Sequence, residues 1–309
     1  MKDKKIAVLI PCYNEEKTIA KVVSGYKDAL PQADIYVYDN NSTDKSAKIA
    51  KKCGAIVKRE PRQGKGNVIR SMFSEIDADC YLIVDGDDTY SPLDARKMCD
   101  LILKDNYDMV IGDRLSSTYF EENKRLFHNV GNKVVRGIIN FLFKSKIHDV
   151  MTGYRAFSYP FVKTFPVLSQ NFEIETEMTI HAVDKNMKIC EIPIRYKDRP
   201  DGSFSKLNTI KDGIKILKTI ARLFREYRPL RFCTILSFIF FAISVVFAIP
   251  VFSEYFKTGL VPRIPTLIFA GFMLIISFGL LICGIILGVV VKKHRQLFEY
   301  FLIKARSER

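Results

Sequence analysis

At 309 residues, with 48% apolar and 12% aromatic side chains, the chain can bury one large core or two small ones, which excludes a disordered protein. Its formal net charge of +14 is concentrated in residues 207–309, which hold 15 Lys and Arg against 5 Asp and Glu beside long apolar stretches. Anionic lipid headgroups account for that excess more simply than nucleic acid, for which no motif is present. The seven cysteines (Cys12, Cys53, Cys80, Cys99, Cys190, Cys233, Cys283) include no Cys-x-x-Cys pair, so neither a zinc site nor a disulfide framework is indicated and a reducing compartment is expected.

The start, "MKDKKIAVLIPCYNEE", carries a basic head, but its short apolar run ends in Asn14, Glu15 and Glu16 rather than a small-residue cleavage site. It reads as a first strand with a cytosolic N-terminus. Next, "EEKTIAKVVSGYKDAL" has helical spacing and "DIYVYDN" is a strand, and "STDKSAKIAKKCG" is a helix with Ser42 or Thr43 near its start and Gly54 at its end. "AIVKRE" is a strand, "GKGNVIRSMFSEI" a helix, and "CYLIVDGD" and "MVIGDR" are two further strands. Such alternation predicts an α/β domain with a mostly parallel sheet and helices on both faces, whose ligands bind beyond the carboxyl ends of the strands. Asp39, Asp85 and Asp113 each follow a strand at that edge. In "DCYLIVDGDDTYSP", Asp85, Asp87 and Asp88 would repel one another and destabilise the fold unless a cation sat among them. Carboxylate oxygens with water suit Mg²⁺ or Mn²⁺.

Further along, "NKVVRGIINFLFKSK" (132–146) places Val135, Ile138, Ile139 and Leu142 on one helical face, with Lys133, Arg136, Lys144 and Lys146 elsewhere. An interfacial helix and a packed core helix are equal readings of it. "IKDGIKILKTIARLFREYR" (210–228) opposes Ile214, Leu217, Ala221 and Phe224 to a basic face, so an amphipathic membrane-surface helix is expected over 207–231. The uncharged stretches 232–252 and 264–291 are each long enough to cross a hydrocarbon core of about 30 Å, and read as two transmembrane helices. Basic residues precede the first span and follow the second (Lys292, Lys293, Arg295), while the connecting loop has only Lys257 and Arg263. Both ends should therefore be cytosolic, with 1–206 as the soluble domain and 292–309 as a basic tail.

Taken alone, an Asp-x-Asp or a Gly-Lys-Gly is a common loop feature. Here "VLIPCYNEEKTI", "VYDNNSTDKS", "RQGKGNVIR", "VDGDDTY", "VIGDR", "DVMTGYRAF" and "RPDGSFSKL" occur in one order and spacing. Together they resemble family 2 glycosyltransferases with the GT-A fold, in particular dolichol-phosphate mannose synthases and the GtrB-type polyprenyl-phosphate glycosyltransferases. The resemblance covers residues 5 to 206, and the two C-terminal spans match the GtrB-type arrangement.

That resemblance implies roles residue by residue. Pro11, Tyr13 and Glu15 are similar to the nucleotide-binding loop, with Tyr13 stacking on the base and Glu15 holding a ribose hydroxyl. Asp39 corresponds to the acidic residue that reads the base; relatives often have Asp-Asp-Gly-Ser where this chain has Asp39-Asn40-Asn41-Ser42. In the "GKG" turn, glycine would let backbone N–H groups approach a diphosphate and Lys65 would supply charge. Asp85 and Asp87 match the family's metal-binding pair, and Thr89 stands where many relatives keep a metal-binding glutamine, so a hydroxyl or water would complete the site. Arg114 and Arg125 resemble the arginines that hold the acceptor phosphate. Asp149 matches the acidic residue near the transferred sugar, Arg155 orders its loop, and His148 and His128 are structural. Arg199, Ser205 and Lys206 resemble a mobile loop that closes on the donor phosphates, with Gly202 as hinge.

The expected activity is inverting transfer of one sugar, from UDP-glucose or UDP-N-acetylglucosamine, to a polyprenyl phosphate such as undecaprenyl phosphate, for cell-envelope glycosylation. A lipid phosphate is already an anion, so it hardly needs a general base, and Asp149 should mainly position. GDP-mannose as donor, a processive polysaccharide synthase and a non-catalytic membrane scaffold are the alternatives. The synthase lacks support, because the chain has no Gln-x-x-Arg-Trp motif and no Trp at all. The resemblance also implies a multi-pass protein of the cell membrane and a homo-oligomer, a tetramer as in GtrB-type relatives.

Overall fold

The structure is a computed structural model that describes residues 4–116, 136–171, 173–197 and 209–308, with the backbone alone over 209–216. Arg125, His128, Lys133, Val135, Arg199, Gly202, Ser205 and Lys206 lie outside the described residues, and of Ile214 only the backbone is described. The chain divides into one unit of residues 1–220 with 299–309 and a second of 221–298.

In the first unit the β-branched runs form a seven-stranded sheet of order β3-β2-β1-β4-β6-β5-β7. Its strands are β1 (Ile6–Cys12), β2 (Asp34–Asp39), β3 (Ile56–Arg59), β4 (Cys80–Ile83), β5 (Met109–Asp113), β6 (Arg155–Ser158) and β7 (Ile189–Pro193). All pairings are parallel except those of β6, which runs antiparallel between β4 and β5. β1 is buried along almost its whole length, as a strand covered by helices on both faces must be. On one face Val8 and Ile10 pack with Val22 and Tyr26 of α1 (Ile19–Ala29) and Met98 of α4 (Ala95–Leu103). On the other, Phe73 of α3 (Lys65–Glu75) meets Tyr81 and Phe157 edge-on.

α2 (Ser46–Lys52) starts later than the sequence suggests, because Ser42 and Thr43 have other partners. Ser42 Oγ accepts the Asn14 N–H at 2.9 Å, and the Thr43 N–H goes to Asn14 Oδ1 at 2.8 Å. The helix ends where expected, with Gly54 at φ 85°, in the left-handed region that glycine adopts at no steric cost. The stretch 136–143 is helical; Ile139 and Phe143 are buried, so it packs on the unit as a core helix does, while Phe141 is 82% exposed. Two further helices, α5 (Tyr159–Thr164) and α6 (Ile174–Asp184), flank the loop that returns to the site. In α7 (Thr209–Tyr227) Ile220, Leu223 and Phe224 are buried, whereas Leu217 and Ala221 of the expected apolar face are exposed.

The second unit is built on α8 (Pro229–Thr258) and on most of α9 (Ile264–Ser307), two helices long and apolar enough to cross a membrane. Large side chains such as Phe238, Val246 and Ile275 face outward, as lipid-facing residues do. The two helices are held together by small and polar groups, the device that serves where lipid removes the hydrophobic drive. Ser237 Oγ donates to the Ser277 carbonyl at 2.8 Å, Ser277 Oγ returns a bond to the Ser237 carbonyl at 2.9 Å, and Ser244 Oγ donates to the Ala270 carbonyl at 2.8 Å. A Cβ at Gly284 would lie 2.7 Å from Cys233 Cβ, so only glycine permits this approach. These helices suggest membrane anchoring.

Candidate active site

At the carboxyl ends of β1, β2 and β4 lies a cleft of about 260 Å³. Pro11, Tyr13 and Glu15 line it from the end of β1, Asn40 from β2, Lys65 from the start of α3, and Asp85 and Asp87 from β4, with Asn171 across from them in sequence. Five of the expected site residues beyond β1 and β4 are thus placed as follows: Asp39 is buried at the end of β2, Lys65 is in the cleft wall, Thr89 is buried behind Asp87, and Arg114 and Asp149 are buried together.

The loop after β1 is locked to the loop after β2. The Glu15 N–H donates to Ser46 Oγ at 2.7 Å, the Glu16 N–H to Asp44 Oδ2 at 3.1 Å, and the Lys45 N–H to Glu16 Oε2 at 3.2 Å. Thr18 Oγ1 then ties this loop to the Gly86 carbonyl at 2.6 Å. Asp39 accepts the Ser42 N–H through Oδ2 at 3.3 Å, and its Oδ1 is buried with no hydrogen-bond donor among the described residues. An acceptor left so costs free energy unless a ligand supplies the missing donor.

Asn40 has a definite task. Its Nδ2 donates to the carbonyls of Glu60 and Arg62 at 2.9 and 2.8 Å, and its Oδ1 accepts the Gly64 N–H at 2.7 Å. One side chain thereby clamps the whole β3–α3 connection. The Gly66 N–H goes to the Gln170 carbonyl at 2.9 Å. The two glycines of "GKG" therefore bring the 169–170 backbone close, and a Cβ at Gly66 would collide with the Ser169 carbonyl. Their N–H groups point into the protein rather than toward a diphosphate.

The carboxylates of Asp85, Asp87 and Asp88 each have a partner. Asp85 Oδ1 lies 2.5 Å from Lys65 Nζ, and Asp88, at φ 60°, pairs with Lys21 on the other side. Asp87 Oδ1 accepts the Thr89 hydroxyl at 2.7 Å and its N–H at 3.3 Å. Within the chain two lysines pair with Asp85 and Asp88, and Asp87 accepts the Thr89 hydroxyl. Lys65 is also 2.7 Å from Glu175 Oε1 of α6. Burial pulls the Lys65 ammonium down, but the charges of Asp85 and Glu175 outweigh it and hold it above lysine's ordinary value. The donor set still fits a hard cation. Asp85 and Asp87 both reach the cleft, and no group of three or more His, Cys, Asp or Glu able to hold a metal occurs among the described residues. Two carboxylates completed by water and substrate phosphates is the mode of Mg²⁺.

Arg114 and Asp149 form a bidentate pair, Nε to Oδ2 at 2.7 Å and Nη2 to Oδ1 at 3.0 Å, with Asp149 fully buried and Arg114 8% exposed. The guanidinium lies 5.8 Å from the Tyr196 ring centroid. Arg155 donates to the carbonyls of Thr152 and Val150 and to Thr179 Oγ1, which orders the 149–154 loop; burial pulls its pKa to about 10, still ionised at neutral pH. The Gly153 N–H reaches Tyr90 Oη at 3.1 Å, and burial pushes that phenol to about 12. The His148 side chain is mostly exposed, and the His148 backbone N–H donates to the Glu191 carboxylate at 2.9 Å. Glu175 and Asn171 escaped the sequence reading. The available signal was "NFEIETEM", in which Glu175 and Glu177 alternate with Ile174, Thr176 and Met178, and both are buried in the structure.

Residues 7–165 match the model of glycosyl transferase family 2. Glycosyltransferase AglJ of Haloferax volcanii is 33% identical over 295 residues, spanning 94% of this chain and 95% of that protein. The dolichyl-phosphate hexose transferase of the same organism is 30% identical over 223 residues, 72% of this chain and 95% of its own. Among solved structures, glucosyl-3-phosphoglycerate synthase from Mycobacterium tuberculosis, in complex with Mn²⁺, UDP-glucose and phosphoglyceric acid, superposes with a TM-score of 0.58 at 18% identity, over 70% of this chain and 79% of that one. At that identity the likeness speaks for the fold.

Proposed function

The chain belongs to glycosyl transferase family 2, and from that premise we propose that it transfers one sugar from a nucleotide sugar to the phosphate of a membrane polyprenyl phosphate. The observation that carries this reading is the convergence of Tyr13, Asn40, Lys65, Asp85 and Asp87 on one cleft in a chain that also bears two membrane-length helices. The similarity to a dolichyl-phosphate hexose transferase supports the acceptor class. UDP-glucose or UDP-N-acetylglucosamine is the donor this reading favours, in line with the resemblance to GtrB-type enzymes, and GDP-mannose is the alternative.

Tyr13 stacks on the base, Glu15 takes a ribose hydroxyl, and the orphaned Oδ1 of Asp39 accepts a base N–H. Asp85 and Asp87 would hold Mg²⁺ or Mn²⁺, with the Thr89 hydroxyl orienting Asp87. Such an ion, when bound there, would supply positive charge against the departing nucleoside diphosphate. An oxygen of the lipid phosphate attacks the anomeric carbon as the bond to the diphosphate oxygen breaks, so the configuration inverts and no proton need be removed. Arg114 and Asp149, locked to each other, shape the wall beside the sugar, and Arg125, Arg199 and Lys206 supply charge for the acceptor and donor phosphates. The catalytic unit and both termini face the cytosol, and the protein assembles as a homo-oligomer.

The test uses purified full-length protein, undecaprenyl or dolichyl phosphate, Mg²⁺ or Mn²⁺, and a panel of labelled nucleotide sugars. Label is expected in the organic phase with one donor. No transfer from any donor to either lipid would overturn the reading.

A further inference from the structure

The role of Glu175 extends the proposed function and rests on its reading of Asp85 and Asp87 as the cation site. Lys65 Nζ lies 2.5 Å from Asp85 Oδ1 and 2.7 Å from Glu175 Oε1, and the Lys65 and Glu175 side chains are only 8% and 9% exposed. One ammonium is therefore shared between two carboxylates. Gly153 packs against this arrangement so closely that a Cβ there would overlap Asp85 Oδ2 and reach 2.9 Å from Lys65 Nζ, which closes that side to movement of the lysine. Asp85 faces the cleft, whereas Glu175 stands behind Lys65 on α6. Were Glu175 uncharged, the whole charge of Lys65 would fall on Asp85 and compete with any cation arriving there.

We propose that Glu175 is a positioning residue for the cation site: it draws Lys65 away from Asp85 and so sets how tightly Asp85 and Asp87 take a divalent ion. The lysine passes from Asp85 to Glu175 as the ion binds. No bond or proton is exchanged in this step, only the partner of one ammonium.

The test titrates Mn²⁺ into full-length protein in detergent without nucleotide and follows free Mn²⁺ by electron paramagnetic resonance. Glu175→Gln is expected to weaken binding about tenfold, from the loss of one nearby negative charge. The Lys65→Met/Glu175→Gln double variant, which removes both buried charges together, is expected to bind at least as tightly as wild type. A purely structural role would leave the double variant no better than the single one. Equal affinity in wild type and Glu175→Gln would overturn the proposal, as would a double variant that binds more weakly than wild type. Should Glu175→Gln fail to fold, the double variant decides. A folded wild-type protein that binds no Mn²⁺ would overturn the cation site itself, an outcome distinct from an unaffected Glu175→Gln beside a binding wild type.

Discussion

Asn40 and Asp87 are the residues whose surroundings make the sharpest demands. Asn40 satisfies two carbonyls and one N–H of the β3–α3 connection, so Asn40→Ala leaves three buried or half-buried backbone groups without that partner. A stability loss of about 1–3 kcal/mol is expected, together with weaker nucleotide binding, measurable by denaturant unfolding in detergent and by UDP titration. Unchanged unfolding would mean that water replaces the amide. Asp87→Ala is expected to abolish sugar transfer while the protein still inserts in membranes, read by the organic-phase assay and by membrane fractionation. Wild-type turnover in that variant would remove Asp87 from the cation site. Asp87 was legible in the sequence because a carboxylate after a buried apolar strand is a local pattern. The task of Asn40 was not, since its partners lie 20 to 24 positions away.

At the scale of elements, the register of the loop between β3 and α3 depends on Glu60. Its carboxylate takes the Arg62 N–H and Nε at 2.9 and 2.8 Å and the Ser71 hydroxyl of α3. The hydrogen bond from Arg62 is the main cause that holds its pKa at about 2, against an opposing effect of burial and with help from Ser71. A carboxyl lowered on folding contributes stability that is complete above its ordinary range near 4.5 and fades as pH falls toward about 2. Glu60→Gln should therefore unfold at a lower temperature than wild type at neutral pH, and the gap should close between about pH 4.5 and 2; a gap constant with pH would refute it. The parallel strands β1 to β5 and the helices α1 to α3 follow from period and length, whereas β7 and α4 to α6 were not read from the sequence. The antiparallel β6 does not follow from them, because "RAFS" carries no mark of its direction, and neither does the late start of α2, which is set by bonds to Asn14 and Glu16.

For the whole molecule, the sheet is tied at the end opposite the cleft by Asp108. Its buried carboxylate accepts the Lys188 N–H at 2.9 Å and meets Arg306 Nη2 at 3.4 Å, near the end of α9, which runs helical to Ser307. Arg306 is half exposed, so Arg306→Ala should cost no more than about 1 kcal/mol and leave sugar transfer unchanged. Asp108→Ala strips the start of β7 of its acceptor and should cost about 1–3 kcal/mol; equal losses in the two variants would refute this ranking.

The alternation of β1 to β5 with α1 to α3, the two membrane-length stretches and the placing of Asp39, Asp85 and Asp87 at strand ends could all be read from residues within one or two turns of each other. Period, length and charge are local, and a string of residues displays them. The pairing of Lys65 with both Asp85 and Glu175, the bidentate lock of Arg114 on Asp149 and the inward use of the "GKG" amides could not be read in this way. Each joins groups 20 to 110 positions apart, and which opposite charge a buried ion meets depends on how strands close over one another rather than on its neighbours in the chain.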